Sequence, residues 1–433
     1  MTDTAKAIEK IHEFERFGSI LGLERMTGLL EILGNPHEDL KVIHVAGTNG
    51  KGSTCRYMYS VLQEAGYKTG LYTSPFLEKF NERIELDGEM ISDEDLAYYT
   101  DVVLKAVKTM TDRGLQSPTE FEVVTAIAFV YYKEKQCDYV ILEVGLGGTG
   151  DSTNVCSKPL VSVIASVSMD HMDRLGNTIE MIAAEKAGII KKGCPVVTSV
   201  KDAKALAVIE EKARELGCKF IATNNLNVTI TKESLAGSVF DAPKFDGVTI
   251  SMNGRHQVEN ACLALTTLNL LRIEGKIKLF DSDIYNGLKK AKQPGRFEVM
   301  SEIDEKPVII IDGAHNEDGA KALAETMINL CQGKKTLMVT GMLKDKDVSA
   351  IIDSFMKITD DFVITEPDNP RKMDAVQLAE LFMDRGAKCQ VKSNPEEACS
   401  IALSKKDEYD VIVFAGSLYL IGKIRSILRN VEI

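Results

Sequence analysis

Two rhythms of apolar residues alternate along this chain. Short, mainly apolar runs, such as Val42 to Ala46 and Tyr139 to Leu142, predict buried strands. Between them apolar positions fall three and four apart, which predicts amphipathic helices. Residues 1–40 read as helical and close at Pro36 and His37, with residues 17–23 expected across the base of the first sheet. A strand at 42–46, a helix at 54–66, a strand at 69–73 and helices at 92–113 and 119–135 follow. Strands at 138–143 and 160–166 and a helix at 178–190 come next. Residues 195–252 are expected to hold two or three more strands with a helix between, and another helix runs to Leu271. From Pro307 the alternation restarts, with strands at 308–312, 335–341, 361–365, 388–392 and 411–416 and helices in the gaps. This is an α/β chain: an N-terminal phosphate-loop domain, then a Rossmann-like α/β domain with its own parallel sheet. Gln293-Pro294-Gly295-Arg296-Phe297 reads as a hinge, so the expected domains are 1–295 and 296–433, closing over a cleft.

The strand at 42–46 runs into Gly47-Thr48-Asn49-Gly50-Lys51-Gly52-Ser53 and then a helix. Glycines let backbone N–H groups converge on an anion, and a helix N-terminus adds its dipole. In that arrangement Lys51 reaches the outer phosphates of a nucleotide and Ser53 ligates Mg²⁺. The spacing departs from the standard phosphate loop, because Gly52 separates the lysine from the serine.

Other candidates stand at strand ends, where open α/β sheets bind ligands. Ser74-Pro75 opens a loop that runs to Arg83. Glu143 ends an apolar strand and is either a metal ligand or an exposed strand end. Gly145-Leu-Gly147-Gly148-Thr149-Gly150 matches a dinucleotide fingerprint letter for letter, but a polar stretch ending in Pro159 follows where a helix is required. It reads instead as a loop that shapes a pocket. His171, after Asp170, is either packed or a ligand. Lys186 falls on the same helix face as Ile179, Ile182 and Ala183. It is either a snorkelling side chain or a desolvated amine, and spacing alone favours snorkelling.

Composition narrows the class. The 433 residues carry a formal charge of −12, which argues against nucleic-acid or anionic-membrane partners. Nine cysteines without a C-x-x-C pair point to reduced thiols in the cytoplasm. No leader-like apolar core opens the chain, and no apolar run is long enough to span a bilayer. These residues alone lead to an ATP- and Mg²⁺-dependent enzyme and do not say which bond it makes.

Taken together, the motifs resemble the folylpolyglutamate synthase/dihydrofolate synthase family of the Mur-ligase superfamily almost end to end. The resemblance rests on Gly22 to Met26, Gly34-Asn35-Pro36, the 47–53 loop with its extra Gly52, and Ser74-Pro75 through Glu82-Arg83-Ile84. It continues in family order through Glu143 to Asn154, Asp170-His171, Glu185 to Gly188, His256-Gln257 with Asn260, and Pro294 to Arg296. Asp312 to Asn316 and Gly416 to Tyr419 complete it. It implies an ATP-dependent ligase that activates a folate carboxylate as an acyl phosphate and joins L-glutamate to it. Lys51 and the loop residues 47–53 would hold ATP phosphates, with Asn260 and Arg296. Asp312 and His315 would face the nucleoside. Ser53, Glu143 and His171 would bind Mg²⁺, with Lys51, Lys186 and His171 as the catalytic group, Lys186 carbamylated and a monovalent cation present. Ser74, Pro75, Arg83, Thr119, Phe121, Asp151 and Ser417 would bind substrate, with Thr119, Phe121 and Asp151 around the pterin. A monomer acting on small molecules is implied.

The chain departs from the family pattern at Phe76, where histidine is usual, and at Thr149-Gly150, where Arg-Leu is usual. These bear on which folate form is accepted: dihydropteroate, tetrahydrofolate or both. The alternatives are a cell-wall Mur ligase, which would carry a sugar-nucleotide domain before the phosphate loop, and a nucleotide-hydrolysing regulator, for which no N-K-x-D guanine motif is found.

Overall fold

The computed structural model describes residues 3–18, 20–303 and 306–430. The chain divides into two compact units, Met1–Asn227 with Glu259–Lys290, and Val228–Val258 with Ala291–Ile433.

In the first unit, helices α1 (Asp3–His12) and α2 (Glu24–Ile32) precede strand β1 (Val42–Ala46). Then come α3 (Lys51–Glu64), β2 (Thr69–Tyr72), the short strands β3 (Ile84–Leu86) and β4 (Glu89–Met90), α4 (Asp93–Asp112) and α5 (Glu120–Glu134). Strands β5 (Tyr139–Glu143) and β6 (Val161–Ile164) follow, then the one-turn α6 (Met172–Leu175) and α7 (Ile179–Ala187). The run ends with β7 (Val196–Thr198), α8 (Ala203–Glu215) and β8 (Phe220–Ala222). The strands form one eight-stranded sheet in the order β4-β3-β2-β5-β1-β6-β7-β8. From β2 to β8 every pairing is parallel. β1 and β5 lie at its centre and are buried at every position, which is why they read as mostly apolar runs, with His44 and Glu143 as the polar exceptions. Helix starts are marked by side-chain caps: Ser92 accepts from Asp95 N–H, and Thr178 from Met181 N–H.

The second unit opens with β9 (Thr229–Ser234), β10 (Gly237–Ala242) and β11 (Phe245–Ile250), a separate antiparallel sheet in the order β11-β10-β9. Helix α9 (Arg255–Ile273) starts in this unit and ends in the first, where α10 (Asp281–Lys290) follows. The second unit then continues through β12 (Glu298–Val299), β13 (Val308–Ile311), α11 (Glu317–Leu330), β14 (Thr336–Thr340) and α12 (Val348–Phe355). It closes with β15 (Asp361–Ile364), α13 (Ala375–Met383), β16 (Lys388–Val391), α14 (Pro395–Ser404), β17 (Val411–Ala415) and α15 (Leu418–Leu428). Its sheet runs β12-β13-β17-β14-β15-β16, parallel except for β12.

Some details differ from the sequence reading. The helix after the phosphate loop starts at Lys51 rather than at 54, because Gly50 turns the chain at φ 82° and the lysine enters the helix at once. Residues 195–252 hold five strands, not two or three. Of the 17–23 stretch expected across the base of the sheet, Ser19 lies outside the described residues, and Gly22 is found at the other end of the sheet. Gly22 N–H donates to Gly150 O at 3.0 Å, in the loop that leaves the carboxyl end of β5. Glycines face each other there and allow the close approach. Among the described residues no helix is long and apolar enough to cross a membrane.

Candidate active site

The phosphate loop is held from one side by the strand end of β6. Thr48 N–H donates to Ser166 O at 2.8 Å and Asn49 N–H to Ser166 Oγ at 2.8 Å. Ser168 N–H donates to Thr48 Oγ1 at 3.1 Å. A β-carbon on Gly47 would meet Ala165 Cβ and Ser166 N, both at 3.1 Å, and the residue sits at φ 154°, so the seam favours glycine. Lys51 curls back over the loop, with Nζ donating to Gly47 O at 2.9 Å and Thr48 O at 3.1 Å. The ammonium therefore stands over the loop it serves, where an anion could replace those carbonyls. Gly52 and Ser53 lie in the first turn of α3, whose N-terminus faces the same way. Asn260, on α9, reaches this loop at Gly50.

Ser53 and Glu143 are both buried, at 4% and 5% exposure. Glu143 Oε2 accepts from Ser74 N–H at 3.4 Å, which ties the Ser74-Pro75 loop to the end of β5. A hydroxyl and a carboxylate of this kind are hard oxygen donors, and they fit Mg²⁺. His171 stands apart in exposure. It is half-exposed at φ 50°, at the start of α6, with Nε2 4.0 Å from Asp170 Oδ2.

The loop from Gly145 to Asp151 is the hub of the unit. Phe121 lies on Gly145, with its Cζ 2.5 Å from where a β-carbon would sit. Gly148 lies on the backbone of Glu185 and Lys186, and Gly188 on Thr149. Thr149 N–H donates to Glu185 O at 2.9 Å, and Asn154 Nδ2 to Thr149 O and Gly188 O at 2.9 and 3.1 Å. Asp151 is buried and accepts from Leu146 N–H at 2.9 Å, Thr153 N–H at 3.0 Å and Thr153 Oγ1 at 2.5 Å. Burial raises its pKa against those donors. Thr119 caps α5, two residues before Phe121. Arg83 sits over the rings of Phe76 and Phe80, 5.4 and 5.0 Å from their centroids, and 3.6 Å from Glu120. Phe76 thus gives this guanidinium an aromatic face.

Lys186 corrects the snorkelling expectation. It is 3% exposed, so its ammonium does not reach water. Its pKa is lowered to about 7, first by burial and then by the Lys51 cation, with Asp170 and Glu185 opposing. Much of this amine is neutral and nucleophilic near neutral pH.

The remaining candidates gather in the second unit, at the carboxyl ends of β13 and β17. Asp312 is buried and accepts from Phe297 N–H at 2.7 Å and Ala314 N–H at 2.8 Å. Burial raises its pKa, and the Arg296 guanidinium opposes that. A β-carbon on Gly313 would stand 2.7 Å from Arg296 Nη1 and 2.4 Å from Leu418 Cδ2. His315 Nδ1 is 2.7 Å from Gly313 O, and Ser417, 1% exposed, starts α15. Residues 293–297, read as a hinge, are part of this cluster: Gly313 N–H donates to Gly295 O at 2.8 Å.

Residues that the sequence reading passed over also belong to these networks. His44, inside β1, has Nε2 2.8 Å from Thr153 Oγ1. Burial lowers its pKa to about 3. Arg25 and Glu122 form a buried pair at 3.1 Å. Thr119 with Glu122 is a capping box, T-x-x-E, a signal that the sequence does carry.

Comparison with known proteins bears on this arrangement. The Mur ligase middle domain matches residues 45–268, and the Mur ligase glutamate ligase domain matches residues 295–418. The dihydrofolate synthase/folylpolyglutamate synthase of Bacillus subtilis is 39% identical over 428 residues, covering 97% of each chain. The folylpolyglutamate synthase of Lacticaseibacillus casei is 34% identical over 431 residues, covering 98% of each. The solved folylpolyglutamate synthase of Mycobacterium tuberculosis, complexed with ADP and AMPPCP, superposes with a TM-score of 0.88 at 28% identity, covering 99% of both chains.

Proposed function

The chain belongs to the folylpolyglutamate synthase/dihydrofolate synthase family of Mur ligases, and from that premise we propose that one active site serves both dihydropteroate and reduced folates. It is an ATP-dependent ligase that joins L-glutamate to folates, and the cell-wall and nucleotide-switch alternatives give way to that activity. The double acceptor range is supported by the 39% identical relative, whose name carries both activities. The observation that carries the site assignment is the convergence of the Lys51 loop, Lys186 and the Gly145–Asp151 loop within one unit.

In the proposed mechanism the acceptor carboxylate attacks the γ-phosphorus of ATP and ADP leaves. The amine of L-glutamate then attacks the acyl carbon and phosphate leaves. Lys51 and the N–H groups of residues 47–53 hold the phosphates, and Asn260 steadies the loop at Gly50. Ser53, Glu143 and His171 would hold Mg²⁺, which would neutralise charge on the transferring phosphoryl group. Arg296, Asp312 and His315 are assigned to the nucleotide. Ser74, Pro75, Arg83 and Ser417 are assigned to substrate, and Thr119, Phe121 and Asp151 to the pterin. The neutral Lys186 amine can add to CO₂ with loss of a proton. The resulting carbamate is an anion suited to a cationic site beside Lys51, and a monovalent cation completes the proposed set. We assign the ligase region to 1–295 and the glutamate-ligase domain to 296–433, in a cytoplasmic monomer without nucleic-acid or membrane partners.

The test is ADP release with ATP, Mg²⁺ and L-glutamate, adding dihydropteroate or a tetrahydrofolate monoglutamate, with mass analysis of products. Both acceptors should stimulate release and each should gain one glutamyl unit. Stimulation by only one would sink the double acceptor range and turn attention to Phe76 and Thr149-Gly150.

A further inference from the structure

We propose that Cys194 and Cys218 are a modification site: a thiol pair that a small-molecule disulfide converts reversibly to an internal disulfide. The pair lies at the amino ends of β7 and β8, whereas the phosphate loop leaves the carboxyl end of β1 in the same parallel sheet.

The chain repeats a short pattern at the two positions. Gly193-Cys194-Pro195-Val196 leads into β7, and Gly217-Cys218-Lys219-Phe220 leads into β8. Both glycines turn the chain with positive φ, 72° and 63°. β7 and β8 pair in parallel with Val196 opposite Phe220. Two residues back along each strand, Cys194 stands opposite Cys218. The offset holds on both sides of the pair: Gly193 N–H donates to Leu216 O at 3.0 Å, and Val196 N–H to Lys219 O at 2.8 Å. Neighbouring strands lie about 4.7–4.9 Å apart, and residues in register point to the same face. That separation falls inside the roughly 4.4–6.8 Å that a disulfide spans between α-carbons.

The two residues also meet at one oxygen. Lys191 O accepts from Cys194 N–H at 3.0 Å and from Cys218 Sγ–H at 3.2 Å. The Cys218 sulfur thus lies against the turn that carries Cys194. Burial raises the Cys218 pKa, and the N–H groups of Gly193 and Cys194 oppose this by favouring its thiolate. Burial also raises the Cys194 pKa, and Cys218 is the second cause, with Lys276 and Lys191 opposing. Both thiols are half-buried, so a small reagent reaches them, whereas Cys55, Cys156, Cys262, Cys331 and Cys399 are buried.

The exchange needs an external disulfide as oxidant. Cys218, as thiolate, attacks one of its sulfurs. A mixed S–S bond forms, the external S–S bond breaks and one external thiolate leaves. Cys194, as thiolate, then attacks the Cys218 sulfur, and the second external thiolate leaves. The two protein thiol protons end on the two departing thiolates, and the external disulfide is reduced by two electrons. Because burial holds both thiols up, the exchange should run faster as pH rises above neutral. The new bond closes a loop around α8.

The experiment exposes the folded enzyme to oxidised glutathione and reads intact mass and unreduced peptide maps. The parent should lose two hydrogens, give a Cys194–Cys218 crosslinked peptide as its main product, and recover both thiols in dithiothreitol. Cys194→Ser should trap glutathione on Cys218, raising that adduct about tenfold or more over the parent. Cys218→Ser should lose the crosslink. The Tm of each variant checks that it is folded. Glutathione adducts without the crosslink in the folded parent, two unreacted thiols, or a crosslink that forms only in urea would overturn the assignment.

Discussion

Asn260 Oδ1 stands 2.4 Å from the point where a β-carbon on Gly50 would lie. The phosphate loop is thus closed by a side chain more than 200 residues further along the chain. Gly50 is required twice, by this contact and by its φ of 82°. Gly50→Ala should raise the KM for ATP about tenfold or more and leave dihydropteroate binding without ATP nearly unchanged. Equal losses for both ligands would mean general damage instead.

Lys186 makes a pH prediction with a definite sign. Its folded pKa is about 7, against an ordinary 10.5. Between those values the unfolded chain holds a proton that the fold does not. The contribution of this lysine to stability therefore rises as pH climbs from about 7 to 10.5. In CO₂-free buffer, the stability of the parent minus that of Lys186→Met should increase across this window in denaturant titrations. A flat difference would contradict a buried neutral amine. The same variant should lose ligase activity by about a hundredfold or more.

His44 predicts the acid side. Its folded pKa is about 3, lowered by burial, against 6.5 when unfolded. Below 6.5 the unfolded chain takes the proton first, so stability falls toward pH 3 by up to about 1.4 kcal/mol per pH unit. His256, at about 4 through burial and the Arg296 cation, acts in the same direction. His44→Gln should flatten the decline between pH 6.5 and 4, and His44→Gln with His256→Gln should flatten it further. Parallel acid curves for parent and variants would refute this.

Arg56 and Glu85 make a two-pronged pair at 2.7 and 2.6 Å, with side chains 15% and 9% exposed. Glu85→Ala leaves the guanidinium on α3 without its counter-charge in a desolvated place. Loss of about 3–5 kcal/mol is expected in urea unfolding. A change below about 1 kcal/mol would mean that water or another group takes over.

How much of this could be read from residues in order depends on the range of the interactions. β1, β5 and the buried parallel strands β13, β14 and β17 were legible because such strands are mostly apolar runs. The phosphate loop was legible because its chemistry lies within a few consecutive residues. The antiparallel sheet β9–β11 was miscounted, since β9 is half-exposed and carries a weak pattern. Periodicity places Lys186 on an apolar face, but whether its ammonium reaches water depends on what packs over the end of α7. Arg25 finds Glu122 across 97 residues. Gly22 meets Gly150, and Gly50 meets Asn260, by chain closure over still longer paths. By itself the sequence determined the elements, the phosphate loop and the ligase family. Only the tertiary structure decided which side chains face one another, because local propensity and periodicity act over a turn or two, while partner choice is settled by packing.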